Sequence, residues 1–463
     1  MHVTGNTNIL FINPWIHDFA AYDFWIKPLG LLSIASLLRA NNYNVALIDC
    51  LNPLHPQLAQ EPGILLSKRK SSGHGKFPKA VIPKPEPLQH IPKRYHRYGI
   101  TPRLFRQALD DHPRPSLVLV TSMMTYWYPG VFEAIRIVRE ALPGVPIVLG
   151  GNYVNLCPDH ATASGADFTV QGAGEKVIPS LLRTILGRGD LSFMPDYKNL
   201  DTYPYPAFDL LDLKDQVPIL TSRGCPYCCT YCASHLLNET FLRRDPGKVA
   251  DEISYWHKRF GIRHFSFYDD ALLVNPHEMI IPLLKEVIRQ NRDCQFHCPN
   301  GMHLREITPE ISKLMFRAGF KTIRFGFETS DENNQEKTGG KVNNAHFIQA
   351  VSYLKEAGYE RSDIGIYILC GLPGQACREV RDTIEYVHAK GAKPVIAEYS
   401  PIPGTALWPE AVKSSRYDIS SDPLFHNNSL LPCQGEALTF DMYNDLKSLT
   451  RTRSERQGMR SLP

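Results

Sequence analysis

No apolar run in this chain approaches the length that a bilayer-spanning helix needs. The opening Met1-His2-Val3-Thr4-Gly5-Asn6-Thr7 has neither the basic nor the apolar region of a signal peptide. The expectation is a cytoplasmic protein in a reducing compartment, with no membrane partner. Charge of one sign is also scarce: 51 Lys and Arg against 47 Asp and Glu leave +4, too little to argue for nucleic acid. Acids are nearly missing from one stretch alone. Between Gly63 and Arg103, ten Lys or Arg, beginning with Lys68, Arg69 and Lys70, face the single acid Glu86. Clustered cations can pair with phosphates. The aromatics there, Tyr95 and Tyr98, are few, so a solvated loop or active-site cover is the better reading and nucleic acid is not expected as a partner. Composition is otherwise that of a globular chain, 43% hydrophobic and 21% charged, long enough at 463 residues for two or three domains. Such a chain buries core enough to need no disulfide framework, so its 11 cysteines call for another explanation.

Three of those cysteines, Cys225, Cys229 and Cys232, fall in the run Thr221-Ser222-Arg223-Gly224-Cys225-Pro226-Tyr227-Cys228-Cys229-Thr230-Tyr231-Cys232. A cubane iron–sulfur cluster normally takes one thiolate per iron, so three thiolates leave one of its irons open to a small molecule. Zinc is the competing reading, because Cys225 with Cys228 and Cys229 with Cys232 are both C-x2-C pairs. Zinc knuckles, however, normally stand about a dozen or more residues apart, and these two abut. The cluster is favoured, with Cys228 a bystander. The spacing C-x3-C-x2-C with Tyr231 before the last cysteine resembles the signature of the radical S-adenosylmethionine (radical SAM) enzymes. That resemblance implies a [4Fe-4S] cluster on Cys225, Cys229 and Cys232 whose open iron holds the amino and carboxylate groups of SAM. It also implies reductive cleavage of SAM to a 5′-deoxyadenosyl radical.

Apolar runs at 8–12, 44–49, 116–121, 146–150 and 167–170 alternate with helical periodicity at 29–39, 131–141 and 176–186. Such alternation reads as a doubly wound parallel sheet, a Rossmann-like α/β domain whose ligands lie at the carboxyl ends of the strands. The basic, proline-rich segment 52–101 lacks periodicity and reads as an inserted loop. From Val217 onward strand and helix alternate six times, with strands near 218–221, 263–268, 295–298, 322–327, 364–370 and 394–400. Asp245-Pro246 and Thr308-Pro309 are helix-start signals, each an N-cap followed by proline at the first helical position. Six βα units are two short of a closed eight-strand barrel, and a partial (βα)6 TIM-type barrel is what the radical SAM resemblance implies. The domains expected are 1–200, 201–410 and a C-terminal extension 411–463, irregular until a helix near 440–450.

Functional groups of a βα barrel gather at the carboxyl ends of its strands. Asp269-Asp270 ends the second strand, Glu328 the fourth, and Gly371-Leu372-Pro373-Gly374-Gln375 the fifth. By resemblance, Asp269 or Asp270 contacts the SAM amino group, with turn capping the ordinary alternative for one of them. In the same way Glu328 meets the ribose hydroxyls, Lys341 the carboxylate, and Gly371, Pro373 and Tyr231 the adenine. Cys294, Cys298, Cys370 and Cys377 show no ligand spacing and read as core residues.

The N-terminal part resembles the cobalamin-binding domain fused ahead of many radical SAM barrels. The residues that carry this are Pro28-Leu29-Gly30-Leu31, Ser122 in the loop 121–125, Gly150-Gly151-Asn152 and Gly172-Ala173-Gly174-Glu175. The fingerprint Asp-x-His-x-x-Gly, whose histidine ligates cobalt, is missing; His17 reads as a loop residue. The resemblance implies cobalamin as a third cofactor and methylation or rearrangement of an unactivated carbon of a small molecule. A reductant protein such as flavodoxin or ferredoxin would supply the electron. A radical SAM enzyme with a purely structural or substrate-binding N-terminal domain is the alternative, and a non-catalytic zinc-binding interaction protein a third.

Overall fold

A computed structural model describes residues 7–187, 191–212, 216–290 and 292–451. The C-terminal end of the expected extension, 452–463, lies outside the described residues. The chain divides into two units, Met1–Pro218 and Ile219–Pro463.

The first unit is built on β1 (Asn8–Asn13), β2 (Asn44–Asp49), β3 (Leu117–Val120), β4 (Ile147–Leu149) and β5 (Phe168–Thr169). All pair in parallel, in the spatial order 2-1-3-4-5. Alternation along β1 feeds two cores. Leu10 and Ile12 join Phe105, Val131 and Ile135 from the helices Pro102–Asp111 and Tyr128–Ala141. Ile9 and Phe11 join Leu31, Leu38 and Leu182 from Leu29–Ala40 and Gly174–Leu186. A strand covered on both faces must be apolar throughout, and each such side chain contributes about 1.5–3 kcal/mol by burial. The order reverses between β1 and β3, so the crevice for a ligand opens at Asn13 and Thr121.

The basic segment corrects the expectation of a structureless loop. Lys79–Ile82 and Tyr95–Tyr98 form an antiparallel sheet with Ile16–Asp18. Side chains clip it down: Tyr95 Oη donates to the His17 carbonyl at 2.9 Å, and Trp25 Nε1 to the Ser72 carbonyl at 2.6 Å. Arg69 pairs with the buried Asp23. Arg97 and His17 both engage Glu133, at 2.5 and 3.0 Å. Strands of three or four residues carry little periodicity, and partners about eighty residues apart leave no local trace.

A second sheet takes six strands in sequential order, the first of which spans the boundary between the units: β6 (Gln216–Ile219), β7 (His264–Phe267), β8 (Gln295–His297), β9 (Phe320–Glu328), β10 (Ile364–Cys370) and β11 (Lys393–Glu398). Neighbours pair in parallel, and among the described residues β6 and β11 do not pair with each other, so the barrel stays open. Phe265, Phe296, Phe267 and Phe320 pack ring on ring inside, with centroids 5.3 to 5.9 Å apart. Asp245 and Thr308 cap their helices as their sequences predict, each accepting from a backbone N–H three residues on. After β11 the chain is more ordered than expected. A helix Trp408–Ser414 and two short turns bury Leu424, Leu430 and Leu431, and the last helix, Phe440–Leu449, packs on Cys377–Ala389.

Candidate functional site

The loop after β6 carries the three cysteines to the carboxyl end of the barrel. Thr230 anchors it: its N–H donates to the Thr338 carbonyl at 3.4 Å, its hydroxyl to the Lys337 carbonyl at 3.3 Å, and its carbonyl accepts from Leu407 at 2.9 Å. Gly339, at φ +119°, lies so close that a Cβ there would stand 3.0 Å from Cys229 Cα. Cys229 is buried and Cys225 and Cys232 half-buried, whereas Cys228 is exposed. Burial first, then the mutual repulsion of Cys225, Cys229 and Cys232, pushes the Cys225 thiol up to about 11. Cys232 also rises, by burial first and then Cys229. The backbone N–H groups of Tyr227 and Ser234 face Cys225 and Cys232, the latter at 3.4 Å. Among the described residues no three His, Cys, Asp or Glu side chains converge where one ion could bind them together. Three neighbouring thiols spread over one braced loop, with backbone N–H groups aimed at sulfur, fit a polynuclear cluster taking one thiolate per iron; they do not form a zinc tetrahedron.

Asp269 and Asp270 separate in role. Asp269 is buried, and Thr221 N, Thr221 Oγ1 and Ser222 Oγ donate to it at 2.6 to 2.9 Å. Burial pushes its carboxyl up to about 6 in spite of these donors. Its oxygens are taken, and what it does is tie the end of β7 to the end of β6. Asp270 is exposed and accepts from Ser234 Oγ at 2.6 Å, beside Cys225 and Cys232.

Tyr231, Glu328 and Lys341 meet in one network. Tyr231 Oη donates to Glu328 Oε1 at 2.9 Å and accepts from Lys341 Nζ at 2.8 Å; Lys341 Nζ stands 2.5 Å from the same carboxylate oxygen. Both of these contacts fall on Glu328 Oε1. Burial alone would lower the Lys341 ammonium, but the Glu328 charge outweighs it and raises the group above its ordinary value. Gly326 leaves room for the pair, since a Cβ there would lie 2.7 Å from Glu328 Oε1 and 2.9 Å from Lys341 Nζ. Lys341, in the stretch Gly339-Gly340-Lys341, is half-buried with its side chain 14% exposed. After β10, Gln375 Oε1 accepts from Gly371 N at 2.8 Å and Leu372 N at 3.3 Å, fixing the turn that carries Pro373. Cys298 and Cys370 are buried and burial raises both thiols, as for core cysteines.

His303 went unmarked in the sequence. The short strand Met302–His303 pairs in parallel with Phe325 and Gly326 of β9, which sets His303 beside Lys341 and Tyr227. No spacing to the cysteines foretells it; only strand register brings it there.

In the first unit, Ser122 Oγ donates to the Gly150 carbonyl at 2.7 Å, and Asn152 N to the Ser122 carbonyl at 3.0 Å. Gly151 has φ +100°, and a Cβ would stand 2.2 Å from the Ser122 carbonyl oxygen. The turns after β3 and β4 are thereby locked together at the crevice edge, with backbone bare enough for a flat ligand to approach. Met123 and Met124 beside them are exposed. His17 is buried in a strand against Glu133 and is not placed to ligate a metal. The basic segment also walls a cavity of about 310 Å³ at the carboxyl end of β2, where Lys27, Asp49, Arg69, Lys70 and Gln216 meet. No helix among the described residues is long and apolar enough to cross a membrane.

Two family models match the chain. Residues 219–387 match the radical SAM superfamily and residues 95–182 a B12 binding domain. The uncharacterized methyltransferase PH0819 of Pyrococcus horikoshii is 26% identical over 65% of this chain and 70% of its own. The uncharacterized methyltransferase sll1242 of a Synechocystis strain is 27% identical over 61% of this chain and 54% of its own length. Among solved structures, the radical SAM methyltransferase TsrM of Kitasatospora setae, with cobalamin and a [4Fe-4S] cluster bound, superposes with a TM-score of 0.65. The match covers 97% of this chain and 90% of that one at 15% identity.

Proposed function

We propose that this chain, whose residues 219–387 match the radical SAM superfamily and residues 95–182 a B12 binding domain, methylates an unactivated carbon of a small molecule. The observation that carries this reading is the hydrogen bond from Tyr231, within the cysteine loop, to Glu328 at the end of β9, which joins the cluster loop to the polar end of the barrel. When bound, the cluster and SAM supply the means of removing hydrogen from carbon, and cobalamin supplies the methyl group.

In this reading Cys225, Cys229 and Cys232 hold the cluster, and Asp270 accepts from the SAM amino group with the oxygen that Ser234 leaves open. Glu328 Oε2 accepts from the ribose, while its other oxygen is fixed by Tyr231 and Lys341. Lys341, charged at neutral pH, attracts the carboxylate. The turn with Gly371 and Pro373 lies against adenine. Ser122, Gly150 and Gly151 would offer bare backbone to cobalamin. Groups held this way before a ligand arrives need no reorganisation when charge develops. A flavodoxin- or ferredoxin-type protein in the cytoplasm is the electron donor. The similarity to methyltransferases supports methyl transfer to a small molecule.

The test is anaerobic reconstitution with iron, sulfide, cobalamin and SAM. The expected result is a protein that binds cobalamin and releases 5′-deoxyadenosine on reduction. A reconstituted protein that cleaves SAM but binds no cobalamin overturns the methyl-transfer reading.

A further inference from the structure

His303 is 5% exposed, and neither of its ring nitrogens has a hydrogen-bond partner among the described residues. Nδ1 is sealed away from solvent, so Nε2 is the nitrogen left to meet a bound molecule. The ring is held on the other side. Tyr227 packs against it with centroids 4.7 Å apart. That tyrosine is itself pinned, its hydroxyl donating to Glu306 Oε1 at 3.1 Å and Arg305 lying 5.6 Å over its face. Backbone pairing of His303 with Gly326 fixes the remaining freedom. Burial foremost, with Lys341 and Arg305 adding, pushes the imidazole down to about 3. It is therefore neutral and carries one N–H to donate.

A rigid, buried imidazole with no partner is costly to maintain, and its position says what would satisfy it. The cations facing it are Lys341 and Arg305, and Arg305 is occupied by Tyr227. A neutral N–H donor beside the Lys341 ammonium makes a pair of donors, and the group that suits two converging donors is a carboxylate.

We propose that His303 is a positioning residue that donates an N–H to the carboxylate of the methionyl group of SAM, beside Lys341. This rests on the reading of the barrel end given above. His303→Phe keeps an aromatic ring against Tyr227 and removes the donor; His303→Gln restores one. Each reconstituted protein is reduced and titrated with SAM and with decarboxylated SAM, following the electron paramagnetic resonance of the cluster, with iron and sulfide content as control. The expected result is an Kd for SAM about tenfold weaker in His303→Phe, little change for decarboxylated SAM, and recovery in His303→Gln. Unchanged SAM affinity in His303→Phe, or equal weakening toward both ligands, overturns the proposal and leaves the barrel-end reading standing. A wild-type cluster whose resonance ignores SAM overturns that reading and the proposal with it.

Discussion

Glu328 places its carboxylate 2.5 Å from the Lys341 ammonium, and does so from a backbone held at φ +69°. Residues other than glycine rarely adopt that conformation, at a cost of order 1–3 kcal/mol. The pairing of β9 with β10 slips between Gly326 and Glu328, and the slip turns the carboxylate toward Tyr231 and Lys341. A strained backbone, a register shift and a buried ion pair coincide where the cysteine loop meets the barrel.

Removing one partner of that pair should cost more than removing both. Lys341→Met leaves the Glu328 charge buried with Tyr231 alone and is expected to destabilise the protein by about 3–5 kcal/mol. Adding Glu328→Gln should recover most of the loss. Urea midpoints of the single and double variants check this.

Gly326→Ala should separate binding from stability. The clashing atoms are ends of flexible side chains, 2.7 and 2.9 Å from the new Cβ, so the chain folds with the pair displaced. The expected outcome is a Tm within a few degrees of wild type and SAM binding weakened about tenfold or more.

Gly151→Ala meets backbone instead. Its Cβ would press on the Ser122 carbonyl oxygen at 2.2 Å, and its φ of +100° disfavours any side chain. Cobalamin binding, measured by equilibrium dialysis, should fall sharply in this variant, with SAM cleavage by the second unit retained.

The cysteine register has its own test. Cys228 is exposed and Cys229 buried against Gly339. Cys228→Ala should reconstitute with a full complement of iron and sulfide, and Cys229→Ala should hold almost none. The reverse result would move the ligand set by one residue.

Asp269 predicts a pH dependence of definite sign. Its carboxyl, raised by burial from 3.8 to about 6, holds its proton longer when folded than when unfolded. Stability is therefore greatest below pH 3.8 on this account alone and falls as pH rises toward 6, by about 3 kcal/mol in all. Asp269→Asn lacks this slope. Denaturation of both proteins from pH 4 to 7 should show their difference changing across that window and levelling above it.

The cysteine run, the alternation of strand with helix and the Asp-Pro and Thr-Pro caps could be read without coordinates, because each is a local pattern. The strand-end acids could be read as a set but not divided. Nothing near Asp269 in sequence says that Thr221 and Ser222, about fifty residues away, will occupy its oxygens. Lys341 was legible only through the family resemblance. The small sheet built by Lys79–Ile82 and Tyr95–Tyr98 was missed because its strands are too short for a period to register. His303 escaped because strand register, with no motif to mark it, carries it to the site.

The measurement that reaches the central claim most directly is the yield of SAM-derived products from the reconstituted, cobalamin-loaded protein, reduced anaerobically with cell extract as the source of substrate. Methyl transfer driven by hydrogen removal consumes one SAM as radical source and one as methyl donor. The account predicts 5′-deoxyadenosine and S-adenosylhomocysteine in equal amounts, both lost in Cys229→Ala. Deoxyadenosine without S-adenosylhomocysteine, with cobalamin bound, would contradict it.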